Sequence, residues 1–401
     1  MVWIPLQVVR HDGTASVQQV VVGLAPEVPE RVPDDAVIGA VDGPSGPAMA
    51  YAALADSVLA LDLCRMVAPQ IPMHRVELQA GEQSNTSLIV DGQWIVKLYR
   101  RLEDGPNPDV EVTEALGRVG FDAAPVPVAV WRRGGADLAV MRHLYRGSAE
   151  GATLASRSLS EVLVERRTPR SGRHDVARSF EDLGATVARL HLAMAEAFGV
   201  RPLSADALVE GLLSEVADAL PAGVSLNRVE QAYRRLEGAD DLGSAIRIHG
   251  DLHLGQVLST RHGWVVIDFE GEPTRPLDVR RRPASPLRDV AGMLRSFHYS
   301  AEMALEDHGG LEARRDPELA LLAQSWEQRA TVAFVSGYTS VEAVHRLLPA
   351  DRLSRDALLS VFELQKAVYE VAYEAAHRPA LMSIPVRGVH RLLDEPPRRR
   401  W

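Results

Sequence analysis

From Trp3 to Val9 and from Ser16 to Leu24, β-branched residues recur on either side of His11-Asp12-Gly13-Thr14, a pattern that predicts an antiparallel hairpin. A turn-rich interval follows. The Ala/Leu-rich stretch Ala48 to Val67 then takes helical spacing, and Pro69 and Pro72 end it, so a boundary is expected near residues 70–78. Leu88-Ile89-Val90 and Trp94 to Tyr99 flank the dipeptide Asp91-Gly92, which tolerates positive φ, and predict a second hairpin with Lys97 inside its second strand. Asn107-Pro108 sets a capping side chain before a proline at the first helical position, opening a helix to about Val119. Strands return at Val126 to Trp131 and Leu138 to Met141, so residues 79–145 form a small sheet carrying one helix.

Past about residue 150 the period is helical, notably at Val176 to Phe198, Leu208 to Leu220, Ser285 to His308, Pro317 to Tyr338 and Ala357 to Ala376. One short strand, Trp264 to Phe269, interrupts it. Arg166 to Arg173 reads as an exposed connection.

Composition narrows the function. With 401 residues, 46% hydrophobic and 24% charged, the chain is an ordinary globular protein of two or three lobes. A net charge of −10 disfavours a nucleic-acid or anionic-membrane surface and favours small-molecule partners. Cys64 is the single cysteine, which excludes a disulfide framework and multi-cysteine metal sites. The start carries no basic segment ahead of an apolar run, and Ala48 to Leu63 falls short of the roughly 20 apolar residues of a spanning helix. A cytoplasmic protein is expected.

The densest polar constellation is His249-Gly250-Asp251-Leu252-His253-Leu254-Gly255-Gln256, with Asp268-Phe269-Glu270 following at a strand end. Phosphoryl transfer needs a carboxylate to orient the attacking hydroxyl, an amide or carboxylate for one metal position, and another carboxylate holding metal against the nucleotide. Asp251, Gln256 and Asp268 can supply these. A cation on the phosphates, braced by a helical acid, is also required, and Lys97 with Glu111 fits, with Glu114 as the other choice. No G-x-G-x-x-G precedes that strand. The turn there is Gly81-Glu82-Gln83-Ser84-Asn85-Thr86-Ser87, whose small polar residues can meet phosphate oxygens, although a plain hydrogen-bonded turn is their commoner fate.

A rival chemistry would gather His249, Asp251 and His253 around a metal, since alternate residues of an extended segment point one way. It leaves Lys97 and Asp268 without a role. Lys366, Tyr369, Glu370, Tyr373 and His377 share one helical face, where aromatic rings and charges would suit a sugar; a solvated face with incidental tyrosines is the alternative.

IHGDLHLGQVL, VVIDFEGEP and PLDVRRRPASPLRDVAGMLRSF, together with GEQSNTSLIVDGQWIVKLYRRLEDGPNPDVEV and KAVYEVAYEAAHRP, resemble the bacterial maltokinases. These belong to the aminoglycoside phosphotransferase and eukaryotic-like kinase superfamily. The resemblance implies an α+β, bilobal protein-kinase-like fold: an N-terminal cap over residues 1–78, a β-rich nucleotide lobe over 79–145 and a helical acceptor lobe over 146–401. It implies ATP-dependent phosphorylation of maltose to maltose 1-phosphate for α-glucan assembly, with ATP and Mg2+ as cofactors and the cap as a place for a partner enzyme of unknown identity. Asp251 would be the catalytic base, Gln256 and Asp268 the magnesium ligands with Glu270 assisting, and Lys97 with Glu111 the phosphate anchor beside Ser84, Asn85, Thr86 and Ser87. His253, Lys366, Tyr369, Glu370, Tyr373 and Arg391 would meet the sugar.

The departures from that family are a short cap and His377, where relatives carry an amide. Acarbose-like pseudo-oligosaccharides, glucosamine and aminoglycosides are the competing acceptors, and a sugar-binding pseudokinase is the competing class. The run Arg280-Arg281-Arg282, with Arg275 and Arg288 nearby, reads by default as solvated charge; the functional alternative is that one of these arginines fixes the loop through Glu270 or Glu272.

Overall fold

The computed structural model describes residues 1–9, 13, 15–43, 46–79, 85–103, 105–168, 175–216 and 224–394. Ser84, with the rest of Gly81 to Ser84, lies outside them. Packing divides the chain into two units, Met1–Gly117 with Pro125–Gly147, and Arg118–Ala124 with Ser148–Trp401.

In the first unit, β1 (Val2–Val9) and β2 (Ala15–Ala25) form the expected hairpin, in the register Val2 to Val22. The apolar stretch from Ala48 corrects the helical expectation. Its first part is β4 (Gly46–Ala52), paired with β2 and with β3 (Val37–Gly43), and only then does α1 (Ser57–Val67) begin. The boundary is chemical: the Asp56 carboxylate accepts the Val58 N–H at 2.9 Å and is held by Arg31 at 2.6 Å, so the helix cannot start earlier without losing its cap.

A second sheet runs β5 (Val76–Leu78), β6 (Asn85–Val90), β7 (Trp94–Tyr99), β10 (Ala136–His143), β9 (Ala129–Arg133) in spatial order. Asp91 and Gly92, at φ 50° and 55°, turn β6 into β7. Two-residue β8 (Arg101–Leu102) joins the first sheet through β2. Helix α2 (Pro108–Arg118) starts where the sequence places it, with the Asn107 side chain accepting the Asp109 N–H at 2.8 Å. Residues of β2, α1 and the second sheet share one core that includes Val21, Leu63, Leu88, Val96 and Met141. Burying such side chains contributes about 1.5–3 kcal/mol each before entropy is counted.

The second unit is mainly helical: α3 (Gly151–Glu165), α4 (Ala177–Phe198), α5 (Ala205–Val216), α6 (Leu226–Arg234), α7 (Leu277–Arg280), α8 (Leu287–Gly309), α9 (Leu311–Arg315), α10 (Pro317–Ser340), α11 (Arg352–His377) and α12 (Ser383–Asp394). Its centre is aromatic, Phe180, Phe297, Phe334 and Trp326 meeting at 4.9–6.3 Å. The isolated strand expected at Trp264 is part of a three-stranded sheet of β11 (Ala149–Glu150), β14 (Val257–Thr260) and β15 (Gly263–Val266); β12 (Arg201–Pro202) and β13 (Ser244–Ala245) pair separately. No described helix is long and apolar enough to cross a membrane.

Candidate active site

The segment from His249 to Gln256 is an irregular loop fixed by its backbone. Asp289, in the first turn of α8, accepts the peptide N–H groups of His249 at 2.8 Å and Gly250 at 2.9 Å. Gly250 stands at φ 85°, a conformation only glycine adopts without strain. Asp289 is fully buried, and burial opposes its charge, but its bond from His191 Nε2 at 3.1 Å and the loop N–H groups hold its pKa below the usual carboxylate value. His191 Nδ1 meets the Tyr338 hydroxyl at 2.8 Å.

The β14–β15 hairpin joins the two ends of the constellation. Val257 pairs with Val266, the Ile267 N–H donates to the Gln256 carbonyl at 3.0 Å, and the Gln256 amide donates to Asp268 Oδ2 at 3.2 Å. Asp268 carries a φ of 65°, rare outside glycine and a known mark of functional sites. Glu270 offers a carboxylate oxygen within 4.8 Å of that of Asp268.

The metal-cluster alternative does not form among the described residues. His249 Nε2 is occupied by the Ile267 carbonyl at 2.9 Å and its Nδ1 by the Asp251 N–H at 3.3 Å. His253 Nδ1 accepts the Gly255 N–H at 3.1 Å. Burial lowers the His253 pKa, and the pull of Asp251 the other way does not restore it.

Lys366, on α11, donates to Asp251 Oδ1 and to Glu272 Oε1, both at 2.8 Å. Burial would strip its proton, but the two carboxylates outweigh that and hold its pKa above the ordinary lysine value. Burial likewise raises the Asp251 pKa, and Lys366 more than reverses the effect, bringing it to about 2. Glu272 is bound in turn by Arg275 and by Arg288 at 3.4 Å, and Arg275 also reaches Glu215 of α5 at 2.5 Å. The alternative in which an arginine fixes this loop is met by two, Arg275 and Arg288, on Glu272, while Arg280 donates to the Glu270 carbonyl at 2.9 Å and Arg282 pairs with Asp278 on the surface.

The rest of the α11 face is as periodic as its spacing requires. Lys366 lies 4.5 Å from the Tyr369 ring, Tyr369 stacks on Tyr373 at 6.3 Å, and Tyr373 on His377 at 4.3 Å. The Tyr369 hydroxyl meets Thr274 at 3.2 Å. Glu370 is held by buried Arg295 at 2.6 Å, and Arg391, on α12, by Glu327 at 2.9 Å. A cavity of ≈ 300 Å³ adjoins this network, lined by apolar Leu212, Val368 and Ala372 together with Tyr233, Gln365 and Tyr369.

In the first unit Lys97 lies on β7 in register with Ser87, and Glu111 lies in the first turn of α2. Asn85, Thr86 and Ser87, expected in a turn, instead begin β6, because pairing with Lys97 to Tyr99 satisfies their backbone. Glu114 is taken by Arg132 at 2.7 Å. Asp109, which the spacing does not single out, is the fully buried acid of α2, bound to Arg142 at 2.6 Å and Tyr99 at 3.2 Å. Asp289, His191 and Glu215 also escape a reading by motif, since each acts through a partner distant in sequence.

Residues 75–314 match the phosphotransferase enzyme family (APH). The glucosamine kinase of Mycolicibacterium smegmatis is 30% identical over 334 residues, 78% of each chain, and that of Streptacidiphilus jiangxiensis 28% identical over 337 residues, 78% of this chain and 72% of its own. Among solved structures, a glucosamine kinase in complex with glucosamine, ADP and inorganic phosphate superposes with a TM-score of 0.62 at 23% identity, over 79% of this chain and 81% of its own. A second glucosamine kinase crystal form gives 0.66 at 20% identity, over 97% and 90%. These similarities show a kinase-like fold of the same type.

Proposed function

From the premise that the chain belongs to the phosphotransferase enzyme family, we propose that it is an ATP-dependent sugar kinase with an aminosugar of the glucosamine type as its acceptor. The observation that carries the transferase reading is Asp251, held by Lys366 on a loop fixed by Asp289, with Gln256 and Asp268 adjoining each other on the hairpin that follows. The acceptor preference rests on the two curated relatives.

In this reading residues 1–78 form a cap, 79–145 hold the nucleotide and 146–401 take the acceptor. Asp251 orients the acceptor hydroxyl. The acceptor oxygen bonds to the γ-phosphorus as the bond to the β,γ-bridging oxygen breaks, ADP leaves, and the hydroxyl proton passes to Asp251. Against burial, Lys366 holds the Asp251 pKa below the usual carboxylate range, which leaves it a weak base, so its main work is alignment, and the proton moves late, as a loose transition state allows. Lys97, braced by Glu111, is assigned to the phosphates, with Ser84, Asn85, Thr86 and Ser87 nearby in sequence.

The carboxylate oxygens of Asp268 and Glu270, within 4.8 Å of each other, are the hard donors magnesium prefers, and the Gln256 side-chain amide, which adjoins Asp268 through its nitrogen, would offer its oxygen once turned over. Bound there, magnesium would neutralise charge on the nucleotide phosphates.

Maltose is the second reading, favoured by the stacked Tyr369, Tyr373 and His377 rings and by the adjoining cavity, which has room for another ring. In both readings His253, Tyr369, Glu370, Tyr373 and Arg391 are assigned to the acceptor. Phosphorus NMR of the products from glucosamine, maltose, acarbose and an aminoglycoside distinguishes them: a glucosamine phosphate is expected. A phosphate ester of maltose alone would move the assignment to maltose, and ATP binding without any sugar phosphate would leave a binding protein.

A further inference from the structure

Resting on the sugar-kinase reading, the charge chain around Asp251 carries one more assignment. Transferring a phosphoryl group near a carboxylate needs positive charge close by, because the γ-phosphate and Asp251 repel each other. Within the loop, His253 is a candidate, but its Nδ1 accepts the Gly255 N–H. The ammonium on Asp251 comes from elsewhere in the chain, from Lys366.

Lys366 is positioned from both ends. Its two oxygen partners lie at 2.8 Å, and its own helix is anchored at the neighbouring Gln365, whose amide donates to Glu215 at 2.5 Å. Glu272 is itself clamped by Arg275 and Arg288, so the ammonium cannot follow Asp251 freely. Lys366 occupies Oδ1 of Asp251, and among the described residues Oδ2 has no side-chain partner. The Asp251 side chain is 19% exposed, which leaves part of it open to an incoming hydroxyl.

We propose that Lys366 is a positioning residue for phosphoryl transfer, not a sugar anchor: it fixes the rotamer of Asp251 so that Oδ2 receives the acceptor hydroxyl, and Glu272 holds Lys366 in place. A sugar anchor would contribute equally to substrate and transition state and act on KM, whereas a positioning residue acts on kcat and only through Asp251.

The test is steady-state kinetics of Lys366→Met, Lys366→Arg and Glu272→Gln at saturating ATP, with Lys366→Met repeated in an Asp251→Asn background. The expected result is a roughly 100-fold fall in kcat for Lys366→Met, with the acceptor KM within about threefold, partial recovery in Lys366→Arg, and an intermediate loss in Glu272→Gln. In the Asp251→Asn background, Lys366→Met should add less than about a further threefold. A tenfold or greater rise in KM with kcat unchanged, or full additivity with Asp251→Asn, would overturn the assignment. If no sugar is an acceptor, the sugar-kinase reading has failed on its own account. The same comparison on phosphoryl transfer to water then tests Lys366: a parallel loss supports it, and an unchanged rate overturns it. Melting curves of Lys366→Arg and Glu272→Gln separate lost positioning from lost folding.

Discussion

Asp289 and Gly250 lie 39 residues apart in sequence, and a 2.9 Å hydrogen bond joins the carboxylate of the first to the peptide N–H of the second. Through it the first turn of α8 sets the backbone on which Asp251 stands. Asp289→Ala should leave Nε2 of buried His191 without its carboxylate and release the loop, costing roughly 3 kcal/mol of stability and about 100-fold in kcat. Denaturant unfolding and initial rates measure the two separately; loss of stability with full activity would remove Asp289 from the account of the loop.

Gly292, one turn further along α8, permits a close approach. A Cβ there would stand 2.5 Å from the Leu252 carbonyl oxygen, and backbone cannot yield as a flexible side chain does. Gly292→Ala should destabilise by about 1–3 kcal/mol and lower kcat. Gly309→Ala, whose new methyl would meet only the Ala313 Cβ at 3.5 Å, should be nearly neutral. Equal behaviour of the two variants in thermal melts would refute the packing argument.

The sequence made the polar constellation from His249 to Glu270 and most elements legible because their signals are local. Asp91-Gly92 encodes a turn, Asn107-Pro108 and Asp316-Pro317 encode helix starts, and the α11 stripe follows from a 3.6-residue period. Ala48 to Ala52 was ambiguous, since a short apolar run fits strand and helix alike, and pairing with β2 and β3 decides it. Asn85 to Ser87 read as turn by composition and are strand by pairing. The charge chain Glu215, Arg275, Glu272, Lys366, Asp251 was not legible as a whole, because its members come from α5, the loop after β15, α11 and the loop from His249 to Gln256, and no spacing connects them.

Stability should fall on mild acidification. Burial depresses the folded pKa of His253, and of His298 despite its bond to Glu327, below the ordinary value of 6.5. The folded state keeps both neutral while the unfolded chain takes up protons, so their contribution is complete above about pH 6.5 and is lost as pH falls below it. A second loss follows between about pH 4 and 2 as Asp251, depressed to about 2, is protonated. Melting temperatures from pH 7.5 to 5 should decline, less steeply in His298→Asn; a flat profile in the parent protein would contradict this.

The central claim is that Asp251 orients a sugar hydroxyl for transfer from ATP. The most direct measurement is sugar-dependent ADP release with magnesium, for glucosamine, maltose, acarbose and a no-sugar control, using the parent protein and Asp251→Asn side by side. The account predicts turnover with glucosamine that falls by at least 1,000-fold, on the order expected for losing a catalytic carboxylate, in a variant that still unfolds in one cooperative transition. Sugar-dependent turnover that survives in Asp251→Asn with the same kcat would contradict it.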